Sequence, residues 1–155
     1  MVLKINVFEF SYKLIVIEYQ SLKIIGTNMN IFKYLTIIFI GGGIGAILRA
    51  LLMTILINKT PFFPNTFIIN IVGCIFLGFL FQMFLTNSNI SPSYQIFLTT
   101  GILSAFTTFS TFSLELVTML ETGAQILAIF YAISSLIFGI SGIFLGKFLG
   151  KILFS

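Results

Sequence analysis

The segment Gly101-Ile102-Leu103-Ser104-Ala105-Phe106-Thr107-Thr108-Phe109-Ser110-Thr111-Phe112-Ser113-Leu114-Glu115 lies inside a run from about Tyr94 to Leu120 that is long and apolar enough to cross a bilayer. Six of the ten residues from Ser104 to Ser113 carry hydroxyls. Hydrocarbon offers them no partner, so they face protein or a water-filled path. Two readings stand. Small hydroxylated residues let membrane helices pack closely and hydrogen-bond across the seam. Alternatively they line a path, because so many hydroxyls exceed what one seam needs. Phe106, Phe109 and Phe112 recur every third residue and stay near one face of a helix. A stretch this dense in Ser and Thr also supports a break in the helix, with freed carbonyls turned inward. Phenyl rings carry a negative face and a positive edge. Ring edges and hydroxyl donors together suit a small anion that sheds water without meeting a fixed positive charge that would trap it.

Composition places the rest of the chain in the same setting. Only 8% of the 155 residues are charged and 58% are hydrophobic, against about 25% charged in soluble domains. The sequence lacks His and Asp, and its acids are Glu9, Glu18, Glu115 and Glu121. A His triad, a His metal site and an aspartate dyad are therefore excluded, and no enzyme is expected. Cys74 is the single cysteine, so it forms no intrachain disulfide. Lys4, Lys13, Lys23, Lys33, Arg49, Lys59, Lys147 and Lys151 are scattered. They form no nucleic-acid patch and read as anchors flanking apolar spans.

Four segments reach the roughly 20 apolar residues that a spanning helix needs. They run from about Tyr34 to Ile57, Thr66 to Leu85, Tyr94 to Leu120 and Ala124 to Leu145. Asn58 to Asn65, with Pro61 and Pro64, is a loop. Thr86 to Pro92 is a polar turn, and Glu121-Thr122-Gly123 a tight corner. Residues 1–28 mix charges with runs too short to span, and Glu9 and Glu18 interrupt any signal-peptide core. Met29 is expected to be the true start, leaving 1–28 as an extension from a mis-assigned start. The competing expectation is an interfacial amphipathic segment. Residues 29–155 form one four-helix membrane domain. From Met29 on, the terminal side carries Lys33, Lys147 and Lys151 and the other side Lys59, a weak orientation bias.

Other polar residues in the spans carry paired readings. Asn70, in Asn70-Ile71-Val72-Gly73, either hydrogen-bonds a neighbouring helix or offers an NH2 donor to a pore, since an unpaired amide is costly there. Gly41-Gly42-Gly43-Ile44-Gly45 lies in an apolar span and serves packing rather than a nucleotide. Arg49 snorkels, binds a vestibular anion or pairs with Glu115. Glu115 is either a proton-coupling carboxylate or is held by Arg49 or by hydroxyls. Tyr131 and Ser135 share a helix face and either extend the hydroxyl track or pack.

Taken in order and spacing, three motifs make the chain resemble the Fluc (CrcB) family of fluoride channels. They are Gly-Gly-x-x-Gly-Ala-x-x-Arg ending at Arg49, Asn-x-x-Gly at Asn70 and Gly73, and Thr-Thr-Phe-Ser-Thr-Phe-Ser-x-Glu from Thr107 to Glu115. The resemblance covers Met29 to Lys151. It implies an all-α membrane protein with the third helix broken at mid-membrane, forming an antiparallel dual-topology homodimer in the cell membrane. The weak charge bias fits that arrangement. Passive fluoride export would follow a path of Asn70, Phe109, Phe112 and the hydroxyls of Thr108, Ser110, Thr111, Tyr131 and Ser135. By the same resemblance, backbone carbonyls of Ser104 and Thr107 would hold a structural Na+ at the dimer centre, with Arg49 and Glu115 in vestibular or structural roles. Ser104-Ala105 departs from the Gly-Gly that the family often has. The competing function is a proton-coupled exporter of cationic drugs or guanidinium, for which Glu115 would be the exchanging carboxylate.

Overall fold

A computed structural model of the chain describes residues 30–56, 64–87 and 89–154. The expectation about Met29 and residues 1–28 lies outside them. Among the described residues every regular element is helical: α1 (Ile31–Leu56), α2 (Asn65–Thr86), a third span (Pro92–Glu121) and α6 (Gln125–Phe154). The third span is composite. It comprises α3 (Pro92–Ile96), a π-helical stretch over Phe97–Leu103, α4 (Ser104–Phe106) and α5 (Phe109–Glu121).

Local chemistry fixes the ends. Asn30 caps α1, its Oδ1 accepting from Phe32 N at 3.0 Å. Pro92 opens α3, where a missing N–H costs nothing. The corner after α5 is a Schellman motif: Ala124 N donates to Met119 O at 2.8 Å and Gly123 N to Leu120 O at 3.2 Å. Gly123 has φ +82°, which a side chain would resist.

Packing divides the bundle into two pairs. The second and fourth spans meet along a seam of glycines. A methyl at Gly146 would strike Ile75 O, one at Gly78 would strike Ile143 O, and Gly150 rests on Phe79 and Gln82. Small residues four apart bring the backbones into contact. This seam carries α6 past the end expected at Leu145, to Phe154. Lys147 stays helical and sits 5.1 Å above the Phe81 ring. The first span packs on the first half of the third, where Gly41 faces Gly101 and Gly45 faces Ile102. Beyond the break, α5 lies against α6 instead. The third span therefore changes partners midway, and the site is at the change.

Candidate functional site: the broken third span

Thr107 (φ −82°, ψ 157°) and Thr108 (φ −150°, ψ 116°) are extended residues between two helices. In a continuous helix Thr108 N would donate to Ser104 O, and Thr111 N to Thr107 O. Neither bond forms. Thr108 N donates to Asn70 Oδ1 at 3.0 Å, and Thr111 N donates to Thr108 Oγ1 at 3.3 Å, capping α5. The carbonyls of Ser104 and Thr107 are thus released from the helical ladder. Ser104 itself has φ −61° and ψ −38°. That is ordinary helical geometry, so serine meets no strain there.

Asn70 holds the break by both ends of its amide. Its Oδ1 accepts from Thr108 N, and its Nδ2 donates to Thr108 O at 3.2 Å. The interhelical hydrogen bond of the first reading forms, and because an amide has two N–H groups this clamp uses only one of them. Thr107 is tied back as well, its N and Oγ1 both donating to Leu103 O at 3.1 Å.

Two cavities share wall residues here. One of about 470 Å³ lies between α2 and the third span, walled in part by Thr99, Ser104, Thr107 and Thr108. The other, about 350 Å³, lies among α2, α5 and α6, walled in part by Phe67, Phe112 and Ser135. Asn70, Cys74 and Phe109 belong to both walls, and this shared boundary is termed the neck. Phe109 is 79% exposed. Its ring lies 5.8 Å from Phe112, which lies 5.0 Å from Tyr131. Among the described residues the Ser135 hydroxyl is buried without a hydrogen-bond partner, a free donor in the second wall.

The remaining hydroxyls are more committed. Thr108 Oγ1 lies 3.0 Å from Thr111 Oγ1 and 3.3 Å from Ser110 Oγ. Ser110 and Thr111 line neither cavity and cluster around the head of α5. Tyr131 is fully enclosed and donates to Glu115 Oε2 at 2.8 Å, while Thr66, equally enclosed, donates to Oε1 at 2.6 Å. Glu115 is therefore held by hydroxyls of the second and fourth spans rather than by Arg49, which is half-buried on α1. Thr66→Val should leave a half-buried carboxylate oxygen without its donor. The expected cost is roughly 1–3 kcal/mol, read as a lower midpoint of thermal unfolding for the purified protein.

Sequence reasoning missed Thr66, Phe67, Cys74 and the use of Gly73. Thr66, Gly73 and Cys74 lie four before, three after and four after Asn70, so helical spacing from Asn70 would have placed them on its face. No feature of residue type marked Cys74 as part of a neck.

The family model described as CrcB-like protein, Camphor Resistance (CrcB), matches residues 36–147, well over half of the chain. The chain belongs to the CrcB family. Relatives agree with this placement. A Staphylococcus saprophyticus protein called fluoride-specific ion channel FluC 2 is 46% identical over 114 residues, covering 73% of this chain and 93% of the relative. One from Ligilactobacillus salivarius, fluoride-specific ion channel FluC 1, is 43% identical over 115 residues, 73% of this chain and 96% of its own length. A third from Phocaeicola vulgatus, fluoride-specific ion channel FluC, is 40% identical over 121 residues, 77% and 99% of the two chains. The CrcB match takes in the break, Asn70 and the Tyr131–Ser135 face, and extends over all four spans.

Proposed function

We propose that this CrcB-family chain is a fluoride-selective channel of the cell membrane that passes the anion by electrodiffusion. The observation that carries the reading is the neck. An amide with an N–H to spare and an exposed phenyl ring stand in the wall that two cavities share, with no cation among the neck residues. From there the path continues past Phe112 and the unpartnered Ser135 hydroxyl, with Thr108 in the first wall; Ser110 and Thr111 line neither cavity, and the Tyr131 hydroxyl is committed to Glu115. Hydrogen fluoride entering from acidic surroundings dissociates in a neutral cytoplasm, and the trapped anion leaves down its gradient. The relatives' names support fluoride as the ion.

Two copies are expected to pack antiparallel. The exposed Phe109 and the released carbonyls give such a partner a surface to complete. Ser104 and Thr107 of each copy offer hard carbonyl oxygens, the donor type that suits Na+. Bound there, Na+ supplies a positive charge that ties broken helices together. A cysteine introduced at Thr122 should react with an impermeant thiol reagent from both faces of the membrane. Labelling from one face only would overturn dual topology.

Glu115 does not favour the proton-coupled exporter, since both its oxygens accept hydrogen bonds from enclosed hydroxyls. Purified protein in liposomes should release fluoride, followed with an ion-selective electrode, without a proton gradient. Chloride passing equally well, or efflux that requires a proton gradient, would sink the proposal.

A further inference from the structure

We propose that Gly73 and the γ-methyl of Thr107 form a size-matched pair that sets the break, making Gly73 a positioning residue for both the ion path and the released carbonyls. The inference rests on the channel reading above and adds a determinant that has no side chain of its own. Asn70 and Gly73 lie three apart on α2, on the face toward the break. Asn70 fixes the Thr108 peptide from both sides. Gly73 receives the neighbouring side chain, because a methyl built there would overlap the Thr107 γ-methyl. Its other near neighbours, Phe106 Cδ1 at 3.5 Å and Thr107 Cβ at 3.7 Å, are ordinary contacts.

Three constraints therefore act on Thr107. Its N–H and hydroxyl return to Leu103 O, its methyl seats on Gly73, and its extended ψ of 157° turns the carbonyl out of the helix. A methyl at Gly73 displaces the side chain, and with it the peptide whose carbonyl is released. The neighbouring Thr108 peptide, clamped by Asn70, cannot follow without loosening the neck.

Only one atom clashes, so the pair should be exchangeable. Thr107→Ser deletes the γ-methyl and keeps the hydroxyl bond to Leu103 O. In that background Gly73→Ala should fit, its methyl taking the vacated space. Intrinsic helix propensity favours Ala over Gly, so a loss in Gly73→Ala runs against the trend of the isolated helix.

The test uses full-length protein, with wild type, Gly73→Ala, Thr107→Ser and the double variant compared in two ways. Fluoride efflux from liposomes should fall about tenfold or more in Gly73→Ala, as expected for overpacking against a fixed side chain. It should return to near wild type in the double variant. Thermal unfolding in sodium chloride against N-methyl-D-glucamine chloride reads cation binding without flux. Wild type should unfold at higher temperature in Na+, Gly73→Ala should lose that difference, and the double variant should regain it. A double variant as impaired as Gly73→Ala, or a Gly73→Ala that behaves as wild type, overturns the pairing. Wild type that conducts but gains no stability from Na+ overturns its cation side. If wild type conducts nothing, the channel reading fails, and the unfolding comparison still decides whether Gly73 and Thr107 are matched.

Discussion

Asn70→Asp should abolish fluoride efflux, by about a hundredfold or more, while the protein still purifies and elutes as wild type. The substitution is nearly isosteric, so the effect comes from charge and donor count. A carboxylate at the neck stands in the wall of both cavities, and an anion moving between them must pass it. At a separation of about 4 Å and an effective dielectric of about 20, the repulsion is roughly 4 kcal/mol. Each 1.4 kcal/mol is about tenfold in rate, so even half of that suffices for most of the loss. The change also removes the N–H that reaches Thr108 O and sets two acceptors facing each other. The fold tolerates this because Thr108 N still has an oxygen to donate to, now a charged one, and charge strengthens that bond. Flux unchanged from wild type would place the path elsewhere. A variant that cannot be purified folded would mean that the clamp, not the charge, is the residue's main contribution.

The same residue marks how far the sequence could be read. An amide inside an apolar span must find a partner, so composition alone made Asn70 a site of interest. That its partner is the peptide of Thr108, on a span 38 residues away, depends on tertiary placement that no periodicity carries. The break itself was legible, because a membrane helix gives up hydrogen bonds only where side chains can replace them, and Thr108 supplies its own cap. The π-helical stretch over Phe97–Leu103 was not legible: nothing in those residue types distinguishes it from α-helix, and it packs against glycines of α1. Span existence was legible from hydropathy. The end of the fourth span was not, since Lys147 looked like a boundary anchor while Gly146 and Gly150 continue the seam with α2. Glu115 illustrates the remaining gap. Its need for donors was clear, but Thr66 and Tyr131 meet it from two other spans, and a single chain order does not say which hydroxyls arrive.

The glycine run of α1 shows the gap most sharply, and it gives the largest expected effect on stability. Gly41, Gly42, Gly43 and Gly45 are equivalent as letters. In space, a methyl at Gly45 would strike Ile102 O and come within 3.1 Å of Ala105 Cβ, whereas at Gly43 a methyl would meet no described residue within 4 Å beyond its own stretch of helix. Gly45→Ala must therefore part the first span from the third, because a backbone carbonyl cannot swing aside as a long side chain can. Overpacking of this kind costs about 3 kcal/mol, or roughly 6–12 °C in the unfolding midpoint of a chain this size. The damage should reach function too. Ile102 is only two residues before Ser104, so pushing it shifts the turn whose carbonyl the break releases, and fluoride efflux should fall along with stability. Gly43→Ala adds the same methyl to the same helix and should leave the unfolding midpoint at or slightly above that of wild type, Ala being the better helix former. The pair isolates contact from propensity. Equal losses in both variants would show that the exposed side of α1 at Gly43 is as closely packed as the buried side at Gly45. A neighbour beyond the described residues would then be responsible, and a second copy lying across the first span is the contact to look for.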